Sequence, residues 1–175
     1  VFCDAGHAMT TAMSVSAGSS VSGTAAVGVY LGGPAVVDGS LSGTGGGLNI
    51  SHGIQGDKAS IAVGPLADVT ASAQSGAYAG IIMVYGYEIN GGTLTASGGI
   101  YGLRSISSDP VRVTDGTLTA TGSPTAGSYG IYVENEGLAA VNSQIRGEGS
   151  RCGIYTGGSL TARSSTADGY TYAYG

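Results

Sequence analysis

The sequence predicts an all-β chain wound as a right-handed parallel β-helix, a β-solenoid of about 6–7 coils with three short strands in each. Three observations lead there. A phrase of the form x-Leu/Val-x with small polar flanks returns along the chain. A second phrase, Gly-apolar-x, falls between its copies. Glycine supplies 34 of 175 residues while 42% of the chain is hydrophobic. Collagen needs glycine at every third position, which this sequence does not keep; disorder needs low hydrophobicity with high net charge, which 42% hydrophobic residues and a net charge of -5 exclude. Short strands joined by tight turns remain, and the glycines are expected mainly where turns need positive φ.

The first strand type is read at Ser20-Val21-Ser22, Ser40-Leu41-Ser42, Asp68-Val69-Thr70, Thr93-Leu94-Thr95, Thr117-Leu118-Thr119, Gln144-Ile145-Arg146 and Ser159-Leu160-Thr161. Its apolar centres are spaced 20, 28, 25, 24, 27 and 15 positions apart. A solenoid tolerates that unevenness, because strands must stay in register with the coils above and below while turns vary in length. The second type is read at Gly28-Val29-Tyr30, Gly53-Ile54-Gln55, Gly80-Ile81-Ile82, Gly99-Ile100-Tyr101, Gly130-Ile131-Tyr132 and Gly153-Ile154-Tyr155. A third apolar piece follows at Ala35-Val36-Val37, Ser60-Ile61-Ala62-Val63, Val111-Arg112-Val113 and Leu138-Ala139-Ala140-Val141. All four prolines, Pro34, Pro65, Pro110 and Pro124, fall in the gaps, where no ladder donor is lost. An antiparallel sandwich would give no reason for the phrases to recur in constant order.

One domain is expected. Residues 19–175 form the solenoid, cut from or joined to a longer array, and residues 1–18, poorly periodic, form an N-terminal cap or irregular segment. The chain lacks an initiating Met and a secretion signal, so it reads as a processed or excised piece. Low charge and abundant Ser and Thr suit an extracellular or cell-surface setting. An acidic chain, pI ≈ 4.6, has no basic stripe for nucleic acid, and no apolar run is long enough to span a membrane.

Alternation turns the central apolar residues of both strand types inward and their neighbours outward. Tyr30, Tyr101, Tyr132 and Tyr155 then form an outward ridge on which the apolar faces of sugar rings can lie, which makes a glycan the expected ligand. Stacked Ser/Thr pairs resemble the hydroxyl arrays that some solenoids turn to ice, but Asp68, Gln144 and Arg146 break the array. Asp38, Asp115, Asn90 and Asn142 are read as turn residues, and His7 and His52 have no spaced partners, so no metal, cofactor or catalytic residue is assigned. A lyase site would also need a basic residue beside a metal; Arg112 and Arg146 are available, and nothing places them there. Cys152 shares the inward parity of Ile154 and reads as a buried thiol, about five coils from Cys3 and out of disulfide reach. Asn49-Ile50-Ser51 matches a glycosylation acceptor. The alternating Tyr170, Tyr172 and Tyr174 mark an uncapped edge, a candidate for head-to-tail self-association.

The segments "HGIQGDKASIAV", "INGGTLTASGGIYG" and "TDGTLTATG" resemble the repeats of carbohydrate-binding right-handed parallel β-helix domains of bacterial surface proteins, in the pectate-lyase-like superfamily. The resemblance implies an extracellular, non-catalytic module for acidic polysaccharide, in some members with calcium, and no ligand residue carries over by position. The expectation is therefore a non-enzymatic binding and structural module. A self-assembling fibre or stalk subunit is the alternative, and a polysaccharide-degrading enzyme is third.

Overall fold

The computed structural model describes residues 13–15, 20–25, 27–46, 50–74, 78–125 and 127–171, with side chains from residue 27 onward. The chain is a parallel β-solenoid, right-handed, of about six turns with three strands per coil. The first sheet stacks Met13–Val15, Ala35–Val37, Ile61–Val63, Tyr87–Asn90, Val111–Thr114, Leu138–Val141 and Leu160–Arg163. The second stacks Ser20–Ala25, Ser40–Gly45, Asp68–Ala73, Thr93–Gly98, Thr117–Gly122, Gln144–Gly149 and Thr166–Thr171. The third stacks Val27–Leu31, His52–Gly56, Ala79–Met83, Tyr101–Ser105, Tyr129–Val133 and Cys152–Thr156. Every pairing is parallel, and the chain visits the sheets in that order on each circuit.

Leucine stands over leucine as the sequence predicts. Leu41, Val69, Leu94, Leu118 and Ile145 are consecutive register partners in the second sheet, all inaccessible to solvent. The column continues differently. Ile145 pairs with Ala167, whereas Leu160, read as the seventh member, pairs with Leu138 in the first sheet. Ser-Leu-Thr is a pattern both sheets accept. A circuit of 15 residues cannot make the three-strand tour, and the true partner lies 22 positions on. Met13–Val15 pairs with Ala35–Val37, so the stack already includes part of the segment read as a cap. Residues 1–12 and 16–19, with Cys3 and His7 among them, lie outside the described residues, as do Asn49, Tyr172 and Tyr174.

The glycines serve mostly another purpose than turning. Among the described residues only Gly86, Gly91 and Gly127 have positive φ, while Lys58, Asp115, Asn142 and Ser164 take left-handed corners without being glycine. Many of the others allow close approach, several of them where the third sheet converges on the second. A Cβ on Gly102 would lie 2.4 Å from the Thr121 nitrogen, and one on Gly130 would lie 2.3 Å from the Glu148 nitrogen. Backbone meets backbone along this edge, so the core is a wedge: large residues fill its broad side, and Gly and Ala fill its narrow one.

That convergence also bends the third-sheet strands. In Tyr129–Val133 both Gly130 and Ile131 are buried while Tyr129 and Tyr132, three apart, remain half-exposed. The register skips the glycine in every pairing of this sheet. Strict alternation fails there, and two sequence expectations fail with it. Gly102-Leu103-Arg104, not Gly99-Ile100-Tyr101, occupies the fourth coil's place, since Leu103 pairs with both Ile81 and Ile131. Cys152 lies beside Tyr129, half-buried rather than buried, its thiol donating to the Ile154 carbonyl at 3.0 Å.

Candidate functional site

Arg104 is the centre of the only aromatic assembly found among the described residues. It occupies the position in the fourth coil where Tyr132 and Tyr155 follow, and it breaks the outward column that reads Tyr30, Gln55, Ile82, Arg104, Tyr132, Tyr155. Tyr30 is therefore about four coil spacings, on the order of 19 Å, from Tyr132. It bonds instead to Asp57, its hydroxyl donating to Oδ2 at 3.0 Å. Tyr101 belongs to the neighbouring column, in register with Tyr129.

The bend at the glycines nevertheless reunites the two columns. Tyr101 lies 5.6 Å from Tyr129 and 5.1 Å from Tyr132, and Tyr132 lies 4.8 Å from Tyr155, ring centre to ring centre. Tyr78, just ahead of the third strand of this sheet, extends the contacts to Tyr101 at 5.3 Å and to His52 at 5.5 Å. A single strip of six rings thus runs across five consecutive strands, about 19 Å along the axis. The in-register pairs are nearly parallel, 17° for Tyr101 with Tyr129 and 11° for Tyr132 with Tyr155. Each ring of such an offset stack covers part of its neighbour's face. The strip therefore presents tilted ring margins and phenol hydroxyls, and Tyr155, 42% exposed, is its most exposed ring.

The guanidinium of Arg104 pins this arrangement. Its Nη1 donates to the Tyr78 hydroxyl, its Nη2 to Glu134 Oε2 at 2.7 Å, and its carbon sits 5.4, 5.2 and 6.0 Å from the centres of Tyr78, Tyr101 and Tyr132. Such cation–π contacts contribute about 0.5–2 kcal/mol each, more as water is excluded. Burial alone would lower the Arg104 pKa, but the Glu134 hydrogen bond and the neighbouring phenols more than offset it, so the cation is held. Burial raises the pKa values of Tyr101 and Tyr132, so both phenols keep their protons as donors. Arg151 lies 5.6 Å from the Tyr129 ring, at the strip's margin. Of these residues, Tyr78, Tyr129 and Arg104 were not singled out from sequence. The signal existed: Tyr101-Gly102-Leu103 and Tyr129-Gly130-Ile131 align once the residue before the glycine is read.

His52 closes the strip at its lower end and is buried. Burial lowers its pKa below the ordinary 6.5, partly offset by a backbone bond with Ala79, with Arg104 lowering it further. Between the lowered folded value and 6.5 the unfolded chain binds more protons, so stability rises with pH through that window. The melting temperature is expected to hold above neutral pH, to fall as pH drops through 6.5, and to level off once the folded state also protonates. Thermal melts of wild type and His52→Gln from pH 5 to 8 check this; a variant with the same pH slope would assign the effect elsewhere.

The other sequence-marked groups scatter. Tyr170, exposed, lies against Arg146 at 4.8 Å in the second sheet. Asp115 accepts from Asn142 Nδ2 at 3.1 Å, while Asp38, in a different column, caps the Leu66 nitrogen at 3.2 Å. Among the described residues no three His, Cys, Asp or Glu side chains group as a metal site, and no helix is long and apolar enough to cross a membrane. The Ser/Thr columns stand in register from Ser20, Ser22 and Thr24 to Thr117, Thr119 and Thr121, broken by Asp68 in one of them, and end at Gln144, Arg146 and Glu148. Compared with protein-family models, curated proteins and solved structures, the chain matches none.

Proposed function

We propose that the chain is a non-catalytic binding and structural module of the cell exterior that holds a glycan along the tyrosine strip of the third sheet. The observation that carries this reading is the continuity of the strip: Tyr78, Tyr101, Tyr129, Tyr132 and Tyr155 touch ring to ring over several coils, held by one half-buried arginine. Apolar ring margins with protonated hydroxyls match the mixed surface of a sugar, whose C–H faces need contact and whose hydroxyls need partners. The strip's length suits a chain of several sugars lying along the axis, not a terminal residue. A rigid scaffold with pre-stacked rings loses little side-chain entropy on binding, which favours affinity.

Retention on insoluble polysaccharides (cellulose, xylan, chitin and pectin) tests it. Tyr155→Ala is expected to weaken retention at least fivefold while shifting the melting transition by less than about 1 kcal/mol equivalent, because the ring is surface-placed. Equal retention of the variant, or no retention on any of the four, would overturn the reading. The competing reading, a subunit stacking end to end, draws on the last described coil, where Leu160 is 49% exposed and Leu160–Arg163 is solvent-facing throughout. Filaments in electron micrographs at rising concentration would favour it over the binder.

A further inference from the structure

Away from the strip, where the third sheet turns into the first, Tyr85, Pro110, Ala62, Glu88, Asp109 and Arg112 line a cavity of about 220 Å³. We propose that this cavity is a second binding site, for a single neutral pyranose sugar. Its walls divide by chemistry. Tyr85, 46% exposed, and Pro110 supply apolar surface for a sugar's C–H face, over a floor that includes Ala62. Two carboxylates and a guanidinium supply acceptors and donors for ring hydroxyls.

Among the described residues no hydrogen bond or ion pair engages the charged side chains of Glu88, Asp109 and Arg112. Ala62, Glu88 and Arg112 are successive register partners on neighbouring coils. Glu88 and Arg112 thus face the same side one rung apart, yet the ion pairs among the described residues join Arg104 with Glu134 and Arg146 with Glu148, not these two. Among the described residues the Asp109 carboxylate likewise has no hydrogen-bond or ion-pair partner, while its backbone nitrogen donates to Ser107 Oγ at 2.7 Å, fixing the loop that carries it. A sugar placed between them would accept from Arg112 and donate vicinal hydroxyls to the carboxylates, which accept such pairs well because two oxygens are presented in one plane.

The site is also built in advance. Gly86, which lines the cavity, takes φ +113°, a conformation that favours glycine, and a Cβ there would lie 3.3 Å from Asp109 Cβ, so strand and loop pack closely at this corner. Tyr87, buried behind it, donates its hydroxyl to the Arg104 carbonyl at 2.7 Å and locks the strand. The volume lies below the roughly 300–1,000 Å³ of pockets that enclose drug-sized molecules, which fits one ring and not an oligosaccharide. Two carboxylates against one guanidinium leave the cavity net negative, which disfavours a uronate or sulfated sugar and selects a neutral one.

This site shares the sugar class with the strip but none of its residues, so each can fail alone. Amide NMR titration of the whole chain with methyl β-glucopyranoside, methyl α-mannopyranoside and methyl β-galactopyranoside tests it, with methyl β-glucuronide as the charged comparison. At least one neutral glycoside is expected to shift the amides of residues 60–62, 85–88 and 109–112, and to bind at least tenfold tighter than the glucuronide. Tyr85→Ala and, separately, Glu88→Gln should each weaken that binding at least fivefold, while Tyr155→Ala leaves it unchanged. No shifts in these three segments, tighter binding of the glucuronide, or shifts surviving both pocket variants would overturn the proposal.

Discussion

Gly102→Ala is expected to abolish the native fold. The added methyl would sit 2.4 Å from the Thr121 nitrogen and 2.8 Å from both the Ala120 carbonyl carbon and the Gly130 oxygen, and all three are backbone atoms that hold neighbouring strands in their ladders. Ordinary overpacking costs about 1–3 kcal/mol because side chains shift to make room. Here nothing flexible is in the way, so the cost exceeds about 3 kcal/mol and rivals the whole stability of a marginal domain. Gly53, Gly80, Gly130 and Gly153 meet the same obstruction at 2.3–2.6 Å, which makes the effect a property of the sheet edge and not of one coil. Loss of the cooperative melt by circular dichroism, beside an Ala120→Gly control that costs only about 1 kcal/mol, checks it. A soluble Gly102→Ala protein with a native melt would show that the two sheets are farther apart than described.

Leu118→Ala has the next largest expected effect. Leu118 is fully buried with Leu94 below and Ile145 above in the same column, so truncation leaves a cavity that rigid strands on both sides cannot collapse. Large-to-small core changes of this kind cost about 2–5 kcal/mol. In a stacked repeat each coil leans only on its neighbours, so the loss should appear as faster amide exchange in the strands around residues 94 and 145 before the ends of the stack are affected. Leu160→Ala should cost under about 1 kcal/mol, since that leucine is half-exposed at the end of another sheet. Equal costs for the two variants would contradict the register that places Leu160 over Leu138.

Much of the candidate strip was legible in the sequence, but its membership was not. Tyr101, Tyr132 and Tyr155 are there, within contact of each other. Tyr30 is not, because a column position says nothing of how many coils intervene. Arg104 could not be recognised from its own neighbourhood: what makes it central is Glu134, 30 residues later, and Tyr78, 26 residues earlier. The sugar-sized cavity was less legible still. Tyr85, Glu88, Asp109 and Arg112 look like unrelated loop and edge residues until adjacent coils bring them to one corner.

What the residues alone determine is the solenoid: apolar centres recurring in constant order, turns of varying length, prolines confined to the gaps. Those are local rules of strand and turn, and local rules are written in adjacent residues. Only the tertiary structure decides which face each side chain takes in the third sheet and which tyrosine stands beside which. There the strands bend at glycines where two backbones meet, and the bend is caused by the opposing sheet, so no window of consecutive residues contains it.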